Sequence, residues 1–354
     1  MEPPPVGRLR PTRGKRLEEM PVAAGLGLWL APLRGVTIRA FRETFAGAIE
    51  EAGFIGAFAP FIPANPGIRV SDRSLSDLMP FPSGQPIDLH DIRDRGRAGR
   101  STLPVGARVP SARILLVPQV ITKHPDAMRE LLKGFKDRGF NRADLNAGCP
   151  FPMIVRRGRG SGLLRSPDTL ERLLAAGCEE MGPGGFSVKV RLGVERPDEL
   201  LKLMPVFNRY PLAALTIHAR TARQMYSGKC DHAAFAAACS ASANPVIYNG
   251  DLVDTLKGFK DFKGVKGLNG LMVGRGFVRG LGVRADAASL LRDYIARSQA
   301  ELSGDRPVLG RMKELLAYWA EGSPVWRRLW PVVKICRSVD ELLSLLPHEM
   351  MREP

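Results

Sequence analysis

Eight short apolar runs recur along the chain, each leaving into a polar or glycine-containing loop. They lie at 26–31, 54–59, 113–119, 141–146, 185–191, 213–218, 245–249 and 269–273. Between several of them apolar residues return at helical spacing. Met128, Leu131, Leu132 and Phe135 share one face ahead of Gly139; Leu170, Leu173, Leu174 and Cys178 share another, opened by Ser166-Pro167 and closed at Gly182. Runs that are apolar throughout belong to parallel strands buried on both faces. Eight strand–helix units of this kind predict an α/β chain, a (β/α)8 TIM barrel spanning residues 23–284.

Three stretches break the rhythm. Residues 60–112 are rich in Pro, Gly, Ser, Asp and Arg and predict a long insertion between the second and third strands. Residues 1–22 are proline-rich and basic, which predicts a flexible arm. The apolar run behind that arm has the look of a signal peptide, but no small-residue cleavage site follows it. Its end, Ala31-Pro32-Leu33-Arg34-Gly35, reads better as a buried strand leaving into a loop. From 285 onward helical spacing takes over: Val308, Leu309, Met312, Leu315, Leu316 and Trp319, then Val325, Trp326, Leu329, Trp330 and Val333. Ser338 followed by Glu341 fits a capping box. A helical domain over 285–354 is expected.

Composition narrows the function. Of 354 residues, 44% are hydrophobic and 25% charged, which excludes a disordered chain. No run of 18 apolar residues exists to cross a membrane. The cysteines at 149, 178, 230, 239 and 336 show no C-x-x-C spacing. A disulfide framework and a metal site are therefore not expected, and a reducing cytoplasm is. The net charge of +16 calls for a polyanionic partner.

In a barrel, function gathers at the C-terminal ends of the strands. Those ends carry Gln119, Asn146 with Cys149, Lys189 with Arg191, His218 with Arg220, Asn249-Gly250-Asp251 and Gly274-Arg275-Gly276. Small residues after the last two strands let backbone N–H groups approach a phosphate, which Arg275 can neutralise. Lys189 is either a cation for a ligand or half of an ion pair, and His218 either a ligand contact or a structural histidine. Cys149 is either reactive or a small buried hydrophobe. Between Leu145 and Ser166 stand Arg156, Arg157, Arg159 and Arg165 without one acidic residue, a basic loop beside Cys149.

These residues resemble a known family. Ala31-Pro-Leu-Arg-Gly-Val-Thr37 with Phe41-Arg42, Asp144-Leu-Asn-Ala-Gly-Cys-Pro150 and Gly160-Ser-Gly-Leu-Leu164 are similar to the tRNA-dihydrouridine synthases. Val188-Lys-Val-Arg191, Ile217-His-Ala-Arg-Thr221 with Tyr226-Ser-Gly228, Ile247-Tyr-Asn-Gly-Asp251 and Leu271-Met-Val-Gly-Arg-Gly276 follow in family order. The tail looks most like the bacterial C-type subgroup. The resemblance implies FMN as cofactor, NADPH or NADH as reductant, and a D-loop uridine of tRNA as substrate; a single copy, with no metal and no membrane, is the expectation beside it. It implies that Pro32, Gln119, Lys189, His218, Asn249, Gly250, Gly274 and Arg275, with Asp251 beside them, hold the flavin. Cys149 would be the proton donor to C5. Asn146, Arg191 and Arg220 would lie near the base, with Arg156, Arg157 and Arg159 on the tRNA. A flavin enzyme acting on a free pyrimidine or enone, and a non-catalytic tRNA-binding barrel, are the alternatives.

The chain departs from the family pattern in places. Leu33 replaces the usual Met, Ile38 the usual Asp after the Thr, and Asn269 the usual Asp before the eighth strand. Phe58-Ala-Pro60 stands where an acidic residue is often found.

Overall fold

A computed structural model describes residues 26–68, 70–71, 75–78, 114–252 and 265–346. The expected basic arm and most of the expected insertion lie outside the described residues.

The strands are β1 (Gly27–Leu30), β2 (Gly56–Phe58), β3 (Ile62–Pro63), β4 (Leu115–Val117), β5 (Gln119–Ile121), β6 (Ala143–Ala147), β7 (Phe186–Gly193), β8 (Ala214–Thr221), β9 (Val246–Asn249) and β10 (Leu268–Val273). All named strands pair in parallel, in the order β3-β5-β6-β7-β8-β9-β10-β1-β2-β4. β4 and β5 are halves of one extended stretch split by Pro118, which has no N–H for the ladder. β4 pairs with β2 and β5 with β6, so the ladder closes through this stretch. The seam is stitched by Ala59 N to Val117 O at 2.9 Å and Asp144 N to Pro118 O at 2.9 Å. The eight expected runs thus form a closed barrel, with β3 as a short addition beside β5.

Ala31, Phe58, Val117, Ala214, Ile247 and Met272 come from strands around the ring and form their own buried cluster, the filling of the barrel. The larger core lies between strands and helices. Those helices are α1 (Arg39–Thr44), α2 (Ala46–Glu51), α3 (Pro125–Lys136), α4 (Pro152–Arg156), α5 (Pro167–Met181), α6 (Glu199–Phe207), α7 (His232–Ala241) and α8 (Arg275–Leu281). α3 buries Met128, Leu131, Leu132 and Phe135, the face its spacing predicts. α5 ends at Gly182, whose φ of +75° suits glycine.

Four helices follow the barrel: α9 (Ala287–Glu301), α10 (Asp305–Gly322), α11 (Pro324–Ile335) and α12 (Val339–Ser344). α9 packs on α1, while α10 packs on α8 and α11. Trp319 and Trp326 are both fully buried, with ring centroids 5.0 Å apart, so this tryptophan pair belongs to the core. At α12 the capping box is half displaced. Ser338 Oγ accepts from Glu341 N at 3.1 Å, but Glu341 Oε2 accepts from Arg337 N at 2.8 Å.

The segment after β3 reaches back to the barrel through Asp77. Ile38 precedes α1 and offers no side-chain cap. Asp77 Oδ1 instead accepts from Arg39 N at 2.5 Å. Buried Arg42 donates to Thr37 O at 2.7 Å and to Asp77 O, with Asp77 Oδ2 3.7 Å away. Thr37 Oγ1 in turn accepts from Leu33 N at 2.8 Å. A cap absent at position 38 is supplied across 39 residues of sequence. Asp77→Ala is therefore expected to cost about 1–3 kcal/mol. Adding Ile38→Asp should return the capping share, about 1 kcal/mol. Urea unfolding of the three proteins checks this; equal stability of Asp77→Ala and wild type would refute it.

Candidate active site

Loops at the C-terminal ends of the strands enclose a cavity of about 740 Å³. A cavity of this size suits a cofactor or small ligand. The loop after β1 contributes Pro32, Leu33, Arg34 and Gly35; β6 and its loop contribute Asn146, Cys149 and Phe151. β7 gives Lys189 and Arg191, β8 gives His218, and the end of β9 gives Asn249, Gly250 and Asp251. Gly274, Arg275 and Gly276 come from the β10–α8 turn. Most residues singled out from the sequence thus meet in one place.

Five do not line the cavity. Gln119 is fully buried beneath it, donating to Asp144 Oδ2 at 2.7 Å and accepting from Asn146 at 2.8 Å. Arg220 is bonded to the backbone oxygens of Ser227 and Gly228 and to the Asp251 carboxylate. Arg156 and Arg157 stand exposed on and just after α4, and Arg159 reaches Asn65 Oδ1 at 2.5 Å. Arg191 does line the cavity, but its guanidinium is occupied by Gly148 O at 2.9 Å, Thr221 O at 2.9 Å and Met225 O at 2.7 Å. It holds together the loops after β6 and β8.

Charge is concentrated and desolvated here. Lys189 Nζ donates to Asn249 Oδ1 at 2.8 Å, a neutral amide and not a carboxylate. Burial, with help from Arg191, pushes its pKa down to about 7. His218 is held well below the ordinary histidine value by burial and by Arg191, Lys189, Arg220 and Arg275, so it is a neutral imidazole. Burial pushes the Cys149 thiol up, and the cations Arg191, Arg34 and Lys189 do not reverse that. At neutral pH Cys149 is therefore a protonated thiol. Burial works to raise the Asp251 carboxyl, but the hydrogen bond and charge of Arg220, joined by Arg275, hold it below the usual range.

The β10–α8 turn can receive an anion. An added Cβ at Gly274 would lie 3.0 Å from the Ala31 side chain and 3.4 Å from Leu33, so a side chain there would crowd the cavity wall. The first turn of α8 carries no acidic residue. Arg275 donates one bond to Asp251 Oδ1 at 3.0 Å, which pre-sets its guanidinium at the mouth.

The aromatic and acidic side of the wall was not marked out by the strand-end pattern. Tyr226 lies with the Arg275 guanidinium 4.8 Å and the Arg191 guanidinium 5.3 Å from its ring centroid. Arg34 stacks on Phe61 at 5.6 Å. Glu314, Tyr318 and Glu321 enter from α10, so the helices after the barrel complete the cavity. The Tyr226-Ser-Gly228 string was a visible signal; Glu314 and Tyr318 sit in an amphipathic pattern that marks burial without naming what is faced.

Residues 107–302 match the family model described as Dihydrouridine synthase (Dus). A probable tRNA-dihydrouridine synthase of Staphylococcus epidermidis is 27% identical over 254 residues, covering 70% of this chain and 67% of that protein. One from Helicobacter pylori is 34% identical over 142 residues, covering 39% and 42%. The tRNA-dihydrouridine synthase B of Proteus vulgaris is 30% identical over 141 residues, covering 39% and 43%. The match to the family model takes in both the Cys149 loop and the Gly274–Gly276 turn. The chain belongs to the dihydrouridine synthase family of flavin-dependent oxidoreductases.

Proposed function

We propose that this protein is a tRNA-dihydrouridine synthase that uses FMN and a reduced nicotinamide, NADPH or NADH, and acts on a uridine in the tRNA D-loop. The observation that carries the reading is a thiol kept protonated by burial in the same cavity as an anion-receiving turn and a desolvated lysine. The donor set fits FMN: a crowded glycine turn with Arg275 for the phosphate, and Lys189, Asn249 and neutral His218 for the polar edge of a planar ring. Pro32 and Gly250 line the same cavity, and Asp251 orients Arg275.

When bound and reduced, FMN would supply hydride for reduction of the uracil ring. The C5=C6 bond is conjugated to the C4 carbonyl, so negative charge grows at C5 and O4. Cys149 gives its Sγ proton to C5; a thiol of ordinary or raised pKa is a competent general acid at neutral pH. Asn146 stands beside it as a hydrogen-bonding group for the base. Arg191 and Arg220 serve by holding the loops around the base, since their donors are already bonded to carbonyls and to Asp251. The target nucleotide has to leave its stack to reach the barrel mouth, as base-modifying chemistry requires.

A surface beside Cys149 supports a large substrate over a free pyrimidine. Phe151 is 47% exposed and Met153 66% exposed, with exposed Arg156 and Arg157 next to them. Arginine contacts to phosphate give affinity and register. Replacing both Arg156 and Arg157 with alanine is expected to lower the slope of log affinity against log salt by about 1.5, at 0.7–0.9 per lost contact. kcat on saturating tRNA should not change. Filter binding of tRNA from 50 to 300 mM salt measures it; an unchanged slope would remove this loop from the interface. The overall reading is tested by mapping dihydrouridine in tRNA from a deletion strain, where loss at one D-loop position is expected. No loss at any position would overturn it.

A further inference from the structure

Four buried side chains, of which only Asn146 also lines the cavity, form a continuous chain at its floor. Ser187 Oγ donates to Asp144 Oδ1 at 2.6 Å, and Gln119 Nε2 donates to Asp144 Oδ2 at 2.7 Å. Asn146 Nδ2 donates to Gln119 Oε1 at 2.8 Å. Asn146 Oδ1 accepts from Gly148 N at 3.2 Å and from Cys149 N at 2.8 Å. Asp144 and Gln119 are completely buried, and Ser187 and Asn146 are more than nine-tenths buried.

We propose that Asp144 is a positioning residue, an acceptor-only anchor that dictates which way the amides of Gln119 and Asn146 face and thereby holds the backbone carrying Cys149. An ionised carboxylate has no proton to give, whereas an amide can present either end. Asp144 removes that freedom: Gln119 must offer its NH2, so its oxygen meets the NH2 of Asn146. The oxygen of Asn146 is then left for the N–H of Cys149. Reversing any one amide sets two donors or two acceptors head to head, at the cost of a buried unsatisfied group. The other side of Cys149 is clamped as well. Its carbonyl accepts from Ser161 N at 3.0 Å and Ser161 Oγ at 2.9 Å. Only the Asp144 side sets a direction. The inference rests on the proposed synthase reading for its catalytic consequence, not for its geometry.

The test swaps the polarity of one link in the full-length protein. Asp144→Asn lets the chain of amides turn over. Gln119→Glu alone sets two carboxylates against each other. The double variant Asp144→Asn/Gln119→Glu restores every donor and acceptor, because the new amide donates to the new carboxylate, which still accepts from Asn146. At pH 8, above the Asp144 carboxyl that burial raises to about 6, Cys149 alkylation by iodoacetamide is followed by peptide mass spectrometry. Each single variant should alkylate about tenfold faster than wild type, as expected for a buried link left unsatisfied. The double variant should fall back to within about threefold of wild type. If a single variant does not accumulate as folded protein, recovery of folded protein in the double is the expected result. Wild-type alkylation in Asp144→Asn, or a double variant no closer to wild type than the singles, overturns the proposal. None of these readouts involves tRNA, so a failed relay and a failed synthase reading give different results.

Discussion

Cys149→Ala should lower dihydrouridine formation by about a hundred- to ten-thousandfold, the usual contribution of a positioned general acid. Flavin binding should be retained, because the groups proposed to hold the cofactor lie on β7, β8, β9, the loop after β1 and the β10–α8 turn, away from the Cys149 loop. The expectation follows from protonation state. A nucleophilic cysteine needs its pKa lowered, but burial pushes this one up against three nearby cations. The wild-type rate should therefore be flat through neutral pH and fall as the thiol ionises on the alkaline side. Cys149→Ser keeps the size but offers a far weaker acid, and should lose nearly as much as alanine. Timing dihydrouridine formation by nucleoside mass spectrometry with the purified wild-type, alanine and serine proteins across pH measures the rates, and bound flavin is read from visible absorbance. An alanine variant within threefold of wild type would remove Cys149 from the reaction.

The second large effect pits function against stability at Lys189. Lys189→Met should weaken flavin binding by about tenfold or more, the worth of one hydrogen bond from a charged group. The same change should stabilise the empty protein at low pH. The sign follows from proton counts. The folded-state pKa is near 7, against an unfolded value near 10.4, so between these limits the unfolded chain holds more protons. Stability conferred by this residue therefore rises with pH above 7, by at most about 1.4 kcal/mol per pH unit. Below pH 7 the native protein carries a charge it has largely taken out of water. The unfolding free energy of wild type minus that of Lys189→Met should thus climb between pH 7 and 9. A pH-independent difference would mean that Lys189 is solvated as an ordinary surface lysine.

Much of this architecture was legible because barrel strands announce themselves locally. The run at 113–119 marked a strand even though Pro118 splits it, since proline removes one N–H without bending the path away. The motif around Asn146 and Cys149 was equally plain, because both lie within four residues of each other. What stayed hidden was decided by partners far along the chain. Gln119 closes an apolar run and looks ready for a ligand, yet Asp144 and Asn146 on the next strand take both ends of its amide. Arg191 and Arg220 look like free cations, but carbonyls of the β8–α7 connection occupy them. Asp77 sits in a composition that signals only a loop, and nothing local shows that it stands in for a cap missing at Ile38. Glu314 and Tyr318 share a helix with core residues, and spacing alone does not separate those that face the barrel mouth from those that face solvent.

The pairing of β1 with β10 has a consequence for biogenesis. Gly27 and Gly270 are opposite one another in the finished ring, so the first strand has no permanent neighbour on one side until the last has left the ribosome. At ordinary elongation rates that interval is roughly ten to fifty seconds. During it, an apolar edge containing Leu28, Trp29 and Leu30 stays open to solvent and to other nascent chains. A chaperone that shields this segment early in synthesis would raise the yield of active protein more than one acting after release.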